Sequence, residues 1–483
     1  MTRRIIGPFN RVEGDLEVRL DIEDGKVEAA RVSASMFRGF EQILHGRPMM
    51  DAISINPRIC GICSLSQSVA TADALADVLG IVQPENGRLG INLVHAAENL
   101  ADHLTHFYLF FMPDFTRVVY GQKPWFDDAN VRFAAKAGRG QSAALAARAR
   151  LLNITGILAG KWPHTLAIQP GGLTHAPDEG ACMRLKSILA DTRVFLQDVL
   201  FGQSLEHIAN LEGRQTLDVA IDTALAAGAD FGRFGCIARD LSLEAYGQGY
   251  ARFMSFGAYS TAGEAAFAPG MMDAGTRHVL RVPDFAEELT HSWYSGEPAH
   301  PAQGETHPDA DREGAYSWSK APRVAGEPVE VGAIARQVVA GHSLMLDLVG
   351  SGPANVYSRI VARMVESARI VLLMEDWVRR LQPLAPVNLD TPHASQQSGS
   401  GVGLVEAARG SLGHWVRVEA GRIEHYQIIA PTTWNFSPRD GAGKPGAVEY
   451  ALEGTPVADG DEGDAMVQHV VRSFDPCMAC TVH

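Results

Sequence analysis

Four of the six cysteines in this 483-residue chain fall in two CxxC pairs, Cys60 with Cys63 in "RICGIC" and Cys477 with Cys480 in "DPCMACTVH". CxxC spacing brings two sulfurs close together, so each pair can chelate one ion and two pairs make a four-thiolate site. Structural zinc is the ordinary use of such a set. Zinc knuckles, however, place their pairs near one another in sequence, to staple a unit with little core of its own. Here one pair sits toward each end of a chain long enough to need no staple. Soft thiolates suit nickel and iron as well as zinc. On spacing alone, structural zinc and a redox or catalytic metal both stay open.

Other side chains could do chemistry, and each has a plainer reading. Glu13 in "RVEGD" can carry a proton if burial raises its pKa, or it is a salt-bridged strand carboxylate. Arg409 in "EAARGSLGHW" is a fixed positive charge, or a surface charge near a turn. Thr432 in "PTTWN" reads most simply as a turn or capping threonine. His95, His103 and His106 share one helical stretch and read as satisfied core or surface groups. Cys182 and Cys236 stand alone and read as structural.

The elements that must position these residues follow from periodicity. "LEVRLDIEDGKVEAARV" alternates apolar residues and turns at Asp24-Gly25, a hairpin. "HWVRVEAGRIEHYQII" does the same at Ala420-Gly421. Between them "INLVHAAENLADHLTHFYLFF", "QSAALAARARLLNITGILAG", "MRLKSILADTRVFLQDVLFGQ" and "SRIVARMVESARIVLLMEDWVRRL" repeat apolar residues at helical steps. From about Phe231 to Val331 the chain reads as surface loops with short strands. The predicted fold class is α+β and predominantly helical, a large central helical bundle with small peripheral antiparallel sheets.

Composition narrows the partners. With 42 basic and 56 acidic residues the formal net charge is −14, which argues against nucleic acid. No apolar run reaches the roughly 18 residues a membrane span needs. The start, "MTRRIIGPFNRVEGD", has no apolar signal region, and a cytoplasmic location is expected.

The paired signatures "RICGIC" and "SFDPCMACTVH" resemble those of the large subunit of nickel–iron hydrogenases. "RVEGDLEV", "FRGFEQIL", "GKWPHTLAIQPGGLTH", "YSWSKAPR", "EVGAIAR", "EAARGSLGHW" and "PTTWNFSPRDG" match further family segments in the family's order. The resemblance covers essentially the whole chain, and so implies one large-subunit domain, 1–483, whose N- and C-terminal segments meet at the active site.

The resemblance implies heterolytic cleavage of H2 to protons and electrons at a NiFe(CN)2(CO) centre. Cys60, Cys63, Cys477 and Cys480 would bind nickel, with Cys63 and Cys480 bridging to iron. Cys477 would take the proton and pass it to Glu13. Arg409 would stand over the open metal position, held by Asp102 and Asp475. Thr432 would hydrogen-bond a cyanide. Glu41, the Ile428 carbonyl and His483 would bind magnesium or a similar hard cation. The chain carries no iron–sulfur signature of its own, so electrons would pass to an iron–sulfur small subunit. Maturation proteins would build the centre; most members also lose a C-terminal extension, and a sequence stopping at His483 is compatible with either a processed chain or one made without it.

Departures from the common family pattern are informative. Asp15 and Gln67 stand where histidine is usual, Ile62 where valine is common, Phe110 where many members have leucine, and Ala408 replaces a usual proline. The first four resemble the regulatory, hydrogen-sensing subgroup, in which Ile62 and Phe110 would narrow the gas channel and a signal-transducing histidine kinase would be a further partner. The alternatives are an energy-conserving uptake hydrogenase and a non-catalytic four-cysteine zinc protein.

Overall fold

The computed structural model describes residues 2–391, 394–458 and 464–483. Helices form the centre and short antiparallel sheets lie around it, as the periodicity predicts. The 25-residue helix Val356–Arg380 starts from a capping box in which Asn355 and Ser358 exchange backbone and side-chain hydrogen bonds, each 2.9 Å. It packs against the helix Glu85–Thr105 and is buried on several sides, so its charged residues need partners inside. Arg359 finds Glu330 at 2.7 Å and Glu366 finds Arg336 at 2.6 Å.

The helix Glu85–Thr105 does not run on unchanged. It passes into a π-helical turn, His106–Phe111, a wider winding that tends to occur near functional sites. The stretch expected as one helix from Gln141 to Gly160 is two, Arg139–Leu151 and Asn153–Ala159. The region expected to be irregular opens with a helix, Asp230–Asp240, before dissolving into short strands.

Two of the three-stranded sheets carry Glu13 and Arg409 in their connections. In the first, Thr2–Ile6, Leu16–Glu23 and Lys26–Ala34 pair antiparallel, with Asp24 and Gly25 at φ +49° and +72° in the turn. In the second, Gly399–Ala407, Gly410–Glu419 and Arg422–Ile429 form a meander. Ala407 pairs with Gly410, so Ala408 and Arg409 are the two residues of the hairpin turn. This sheet lies on the helix Ser64–Leu79 so closely that a Cβ on Gly403 would sit 1.9 Å from the Ala70 carbonyl oxygen. Among the described residues no helix is long and apolar enough to cross a membrane.

Candidate metal centre

The fold closes the two cysteine pairs onto each other. Cys60 follows a 3-10 turn, Asn56–Ile59, and Cys63 sits at the N-terminal end of the helix Ser64–Leu79. The amides of Ile62 and Cys63 donate to the Cys60 sulfur at 3.3 and 3.5 Å, curling the loop around it. Cys477 and Cys480 flank the start and body of the short helix Met478–Thr481. All four Sγ atoms lie within 4.8 Å of one another and are buried. Cys60 meets Cys477 at 3.5 Å, Cys63 meets Cys480 at 3.0 Å, and Cys477 meets Cys480 at 3.1 Å. First cysteine faces first, second faces second.

This donor set could hold a metal ion. Hydrogen bonding among the sulfurs, Cys477 foremost, lowers the Cys60 pKa and raises those of Cys63 and Cys480, and burial raises the latter two further. Four thiols this close cannot all ionise without multivalent positive charge among them. No disulfide relieves them; all six cysteines are free. The residues therefore fit a thiolate-bound, soft-metal centre.

Arg409 is buried beside it. Its Nε donates to the Asp475 carbonyl at 2.9 Å, one terminal nitrogen reaches Asp475 Oδ1 at 3.0 Å and Asp102 Oδ1 at 3.3 Å, and the other contacts Asp102 Oδ2. The two carboxylates respond differently. Burial pushes Asp102 up to about 7 against the pull of Arg409. Asp475, also opposed by burial, is held below the usual carboxylate range by Arg409 and His106. Asp475 adopts a left-handed φ of +57°, a conformation a non-glycine residue keeps only when surroundings fix it; Arg409 grips both its ends.

The turn carrying Arg409 is itself anchored. Arg336, from "EVGAIAR", donates to the carbonyls of Ala407 and Ala408 at 2.7 and 3.0 Å while paired to Glu366 and Glu406. Hydrogen bonds thus restrain the backbone at Ala408, where a proline would restrain it covalently.

Glu13 reaches the centre through its backbone and its field. Its carbonyl accepts from the Met478 amide at 2.7 Å, and its amide reaches the Pro476 carbonyl at 3.4 Å. Burial raises its carboxyl pKa, Cys60 adds to the rise and Arg409 opposes it. Thr432 Oγ1 accepts the Cys477 amide at 3.0 Å, so the hydroxyl caps the second cysteine loop.

Glu41 and His483 come together at 3.4 Å between Oε1 and Nε2. Ile428 meets this pair through its amide, which donates to Glu41 Oε1 at 2.8 Å. His483 Nδ1 lies 2.6 Å from the Cys480 carbonyl, linking this pair to the cysteines. Lys320 carries no expected role, yet its ammonium reaches Glu41 at 3.3 Å and Glu287 at 3.5 Å. Burial would raise the Glu41 pKa, but Lys320 and His483 outweigh it and hold the carboxyl low.

Gln67 is fully buried, its Oε1 2.8 Å from His414 Nε2, while Asp15 is exposed. Ile62 is half-buried against the main core, and Phe110 is half-buried on the π-helical turn. The three helix histidines are buried in the core with Nε2 partnered, in His95 by Ser66, in His103 by Glu366 and in His106 by the Arg472 carbonyl, while Nδ1 of His103 and of His106 has no hydrogen-bond partner.

The sequence pattern of the family described as "Nickel-dependent hydrogenase" matches residues 38–132 and 236–483. The chain belongs to this family. It is similar to the periplasmic [NiFeSe] hydrogenase large subunit of Desulfomicrobium baculatum, 30% identical over 99% of this chain and 94% of that one. It is likewise similar to the uptake hydrogenase large subunit of Rhodobacter capsulatus, 26% identical over 100% and 95% of the two chains. The crystal structure of a reduced, active Ni-Fe-Se hydrogenase from Desulfomicrobium baculatum superposes with a TM-score of 0.84 at 28% identity, covering both chains completely. The hydrogenase motifs "EVGAIAR" and "YSWSKAPR" were signals that could have singled out Arg336 and Lys320; only their contacts reveal what those residues hold.

Proposed function

We propose that this chain is the H2-cleaving large subunit of a nickel–iron hydrogenase, used by the cell as a hydrogen sensor of low turnover. The convergence of four buried cysteine sulfurs beside the Arg409 guanidinium carries the reading. Cys60, Cys63, Cys477 and Cys480 would hold nickel, with Cys63 and Cys480 shared with an iron carrying one CO and two CN−. When bound, that group supplies the Lewis acidity that makes H2 a usable acid.

The chain's own residues do the rest. Cys477 Sγ receives the proton, and the Glu13 carboxyl, its pKa raised by burial, takes it from the sulfur toward the surface. Arg409 offers a fixed charge that costs no reorganisation, because Asp102 and Asp475 already orient it. Thr432 holds the Cys477 loop and keeps its own hydroxyl proton for a cyanide. Glu41 and His483, with Ile428, would hold magnesium, tying the end of the chain to the centre.

Electrons leave to an iron–sulfur small subunit, a sensor passes its state to a histidine kinase, and the location is cytoplasmic. Asp15, Gln67, Ile62 and Phe110 favour sensing. The uptake role is the second reading, favoured by the similarity to the Rhodobacter capsulatus uptake hydrogenase large subunit. H2-dependent dye reduction by the purified complex separates them. Slow turnover that persists in air supports the sensor; fast turnover lost in air supports uptake; none, with zinc as the only bound metal, rejects both.

A further inference from the structure

The carboxylate of Glu98 lies inside the protein, 2% exposed, midway along the helix Glu85–Thr105. It meets donors from two directions. Oε1 accepts from the Leu65 amide at 2.9 Å, the Trp162 Nε1–H at 2.9 Å and the Ser64 hydroxyl at 3.3 Å. Oε2 accepts from the Ser66 amide at 2.9 Å and the Ser66 hydroxyl at 3.1 Å. These amides open the helix Ser64–Leu79, whose N-terminal flanking residue is Cys63, and Cys63 provides no side-chain cap. First-turn amides without partners are costly in a buried place. A carboxyl from the neighbouring helix supplies the acceptor oxygens that the cysteine cannot.

The segment Trp162–His164 completes the arrangement. Besides the Trp162 bond to Glu98, the His164 amide donates to the Ser64 hydroxyl at 3.4 Å. Its ring Nδ1 lies 2.9 Å from the Pro57 carbonyl. The segment therefore touches the chain both before Cys60 and after Cys63. We propose that Glu98 is the positioning residue of the Cys60–Cys63 loop, capping from a second helix the helix that starts at Cys63 and joining to it the Trp162–His164 segment. A glutamine does not substitute, because its NH2 group must face the donors on one of the two sides. The inference concerns where Cys63 is held, and stands whatever ion the cysteines bind.

Hydrogen–deuterium exchange on the purified metal-loaded protein, with any subunit that copurifies, tests it. Glu98→Gln should speed exchange of the amides at 64–67 by about tenfold, the scale of a lost helix cap. Trp162→Phe, which removes one donor only, should speed it less, and Glu212→Gln, at an exposed residue, not at all. The sulfur-to-metal absorption should shift in Glu98→Gln alone. Unchanged exchange at 64–67 overturns the proposal. So does acceleration spread evenly over the whole protein, which marks a merely structural residue. If Glu98→Gln does not fold, Trp162→Phe decides: acceleration confined to 64–67 supports the proposal and its absence overturns it. Exchange does not read hydrogenase activity, so this outcome is independent of the H2 chemistry.

Discussion

Glu13 and Cys477 are joined as a parallel β-bridge, with the Met478 amide bonded to the Glu13 carbonyl at 2.7 Å. Residues from the two ends of the chain thereby share one short stretch of backbone, which fixes the main chain of the proposed proton acceptor against that of Cys477. Because these bonds use only main-chain atoms, Glu13→Gln should leave the fold and metal content intact. Its H2 oxidation rate should fall by roughly 10²–10⁴-fold, the usual weight of a positioned proton acceptor. Dye reduction within threefold of wild type, about 0.7 kcal/mol of barrier, would mean protons leave another way.

Arg409 separates two buried carboxylates, so removing its charge should do more than slow the reaction. Arg409→Leu leaves Asp102 and Asp475 without their shared counter-charge, a loss of about 3–5 kcal/mol. Arg409→Lys keeps the charge but not the fork, and should retain most stability while losing about 100-fold in rate. Thermal melting and dye reduction on both variants distinguish these effects; equal stability of all three proteins would contradict the pairing.

Ile62 and Phe110 are both larger than the residues common in the family. If they narrow the path of gas, Ile62→Val with Phe110→Leu should make activity decay in air while leaving H2 turnover within a small factor. The check is activity against time at fixed O2, and an unchanged decay rate would leave both residues as ordinary packing variation.

Glu449 offers a pH test away from the metal centre. Burial raises its carboxyl from 4.5 to about 7, against hydrogen bonds from the Val32 amide and Tyr316 hydroxyl. The unfolded chain gives up this proton near 4.5 and the folded chain only near 7. Stability from this group is therefore complete below pH 4.5 and is lost as pH rises toward 7, by about 3 kcal/mol. Glu449→Gln, which cannot ionise, should show a smaller fall in melting temperature than wild type between pH 5 and 7; parallel curves would contradict it.

Much of the architecture was legible because its signals are local. The turns at Asp24-Gly25 and Ala420-Gly421 lie where apolar alternation breaks, and Val356–Arg380 keeps one period throughout. The strand Gly399–Ala407 and the helix Asp230–Asp240 were not, and for one reason. Gly403 lets the strand approach the Ala70 carbonyl, and Gly232 lets its helix sit where a Cβ would be 2.1 Å from the Leu225 nitrogen. Glycines that serve close packing read as breakers when the packing partner is distant in sequence. The same distance hides function. Cys60 and Cys477 announce themselves by spacing, whereas Glu98, Arg336 and Lys320 matter only through what the fold brings to them.

In the proposed function the four sulfurs of Cys60, Cys63, Cys477 and Cys480 hold a nickel–iron pair with diatomic ligands. The infrared spectrum of the purified protein in the CO and CN− stretching region, with metal analysis of the same sample, tests it most directly. One CO band and two CN− bands, with nickel present in equal amount to the protein and band shifts under H2, is the predicted result. A spectrum without these bands from protein whose cysteines hold zinc alone would contradict it.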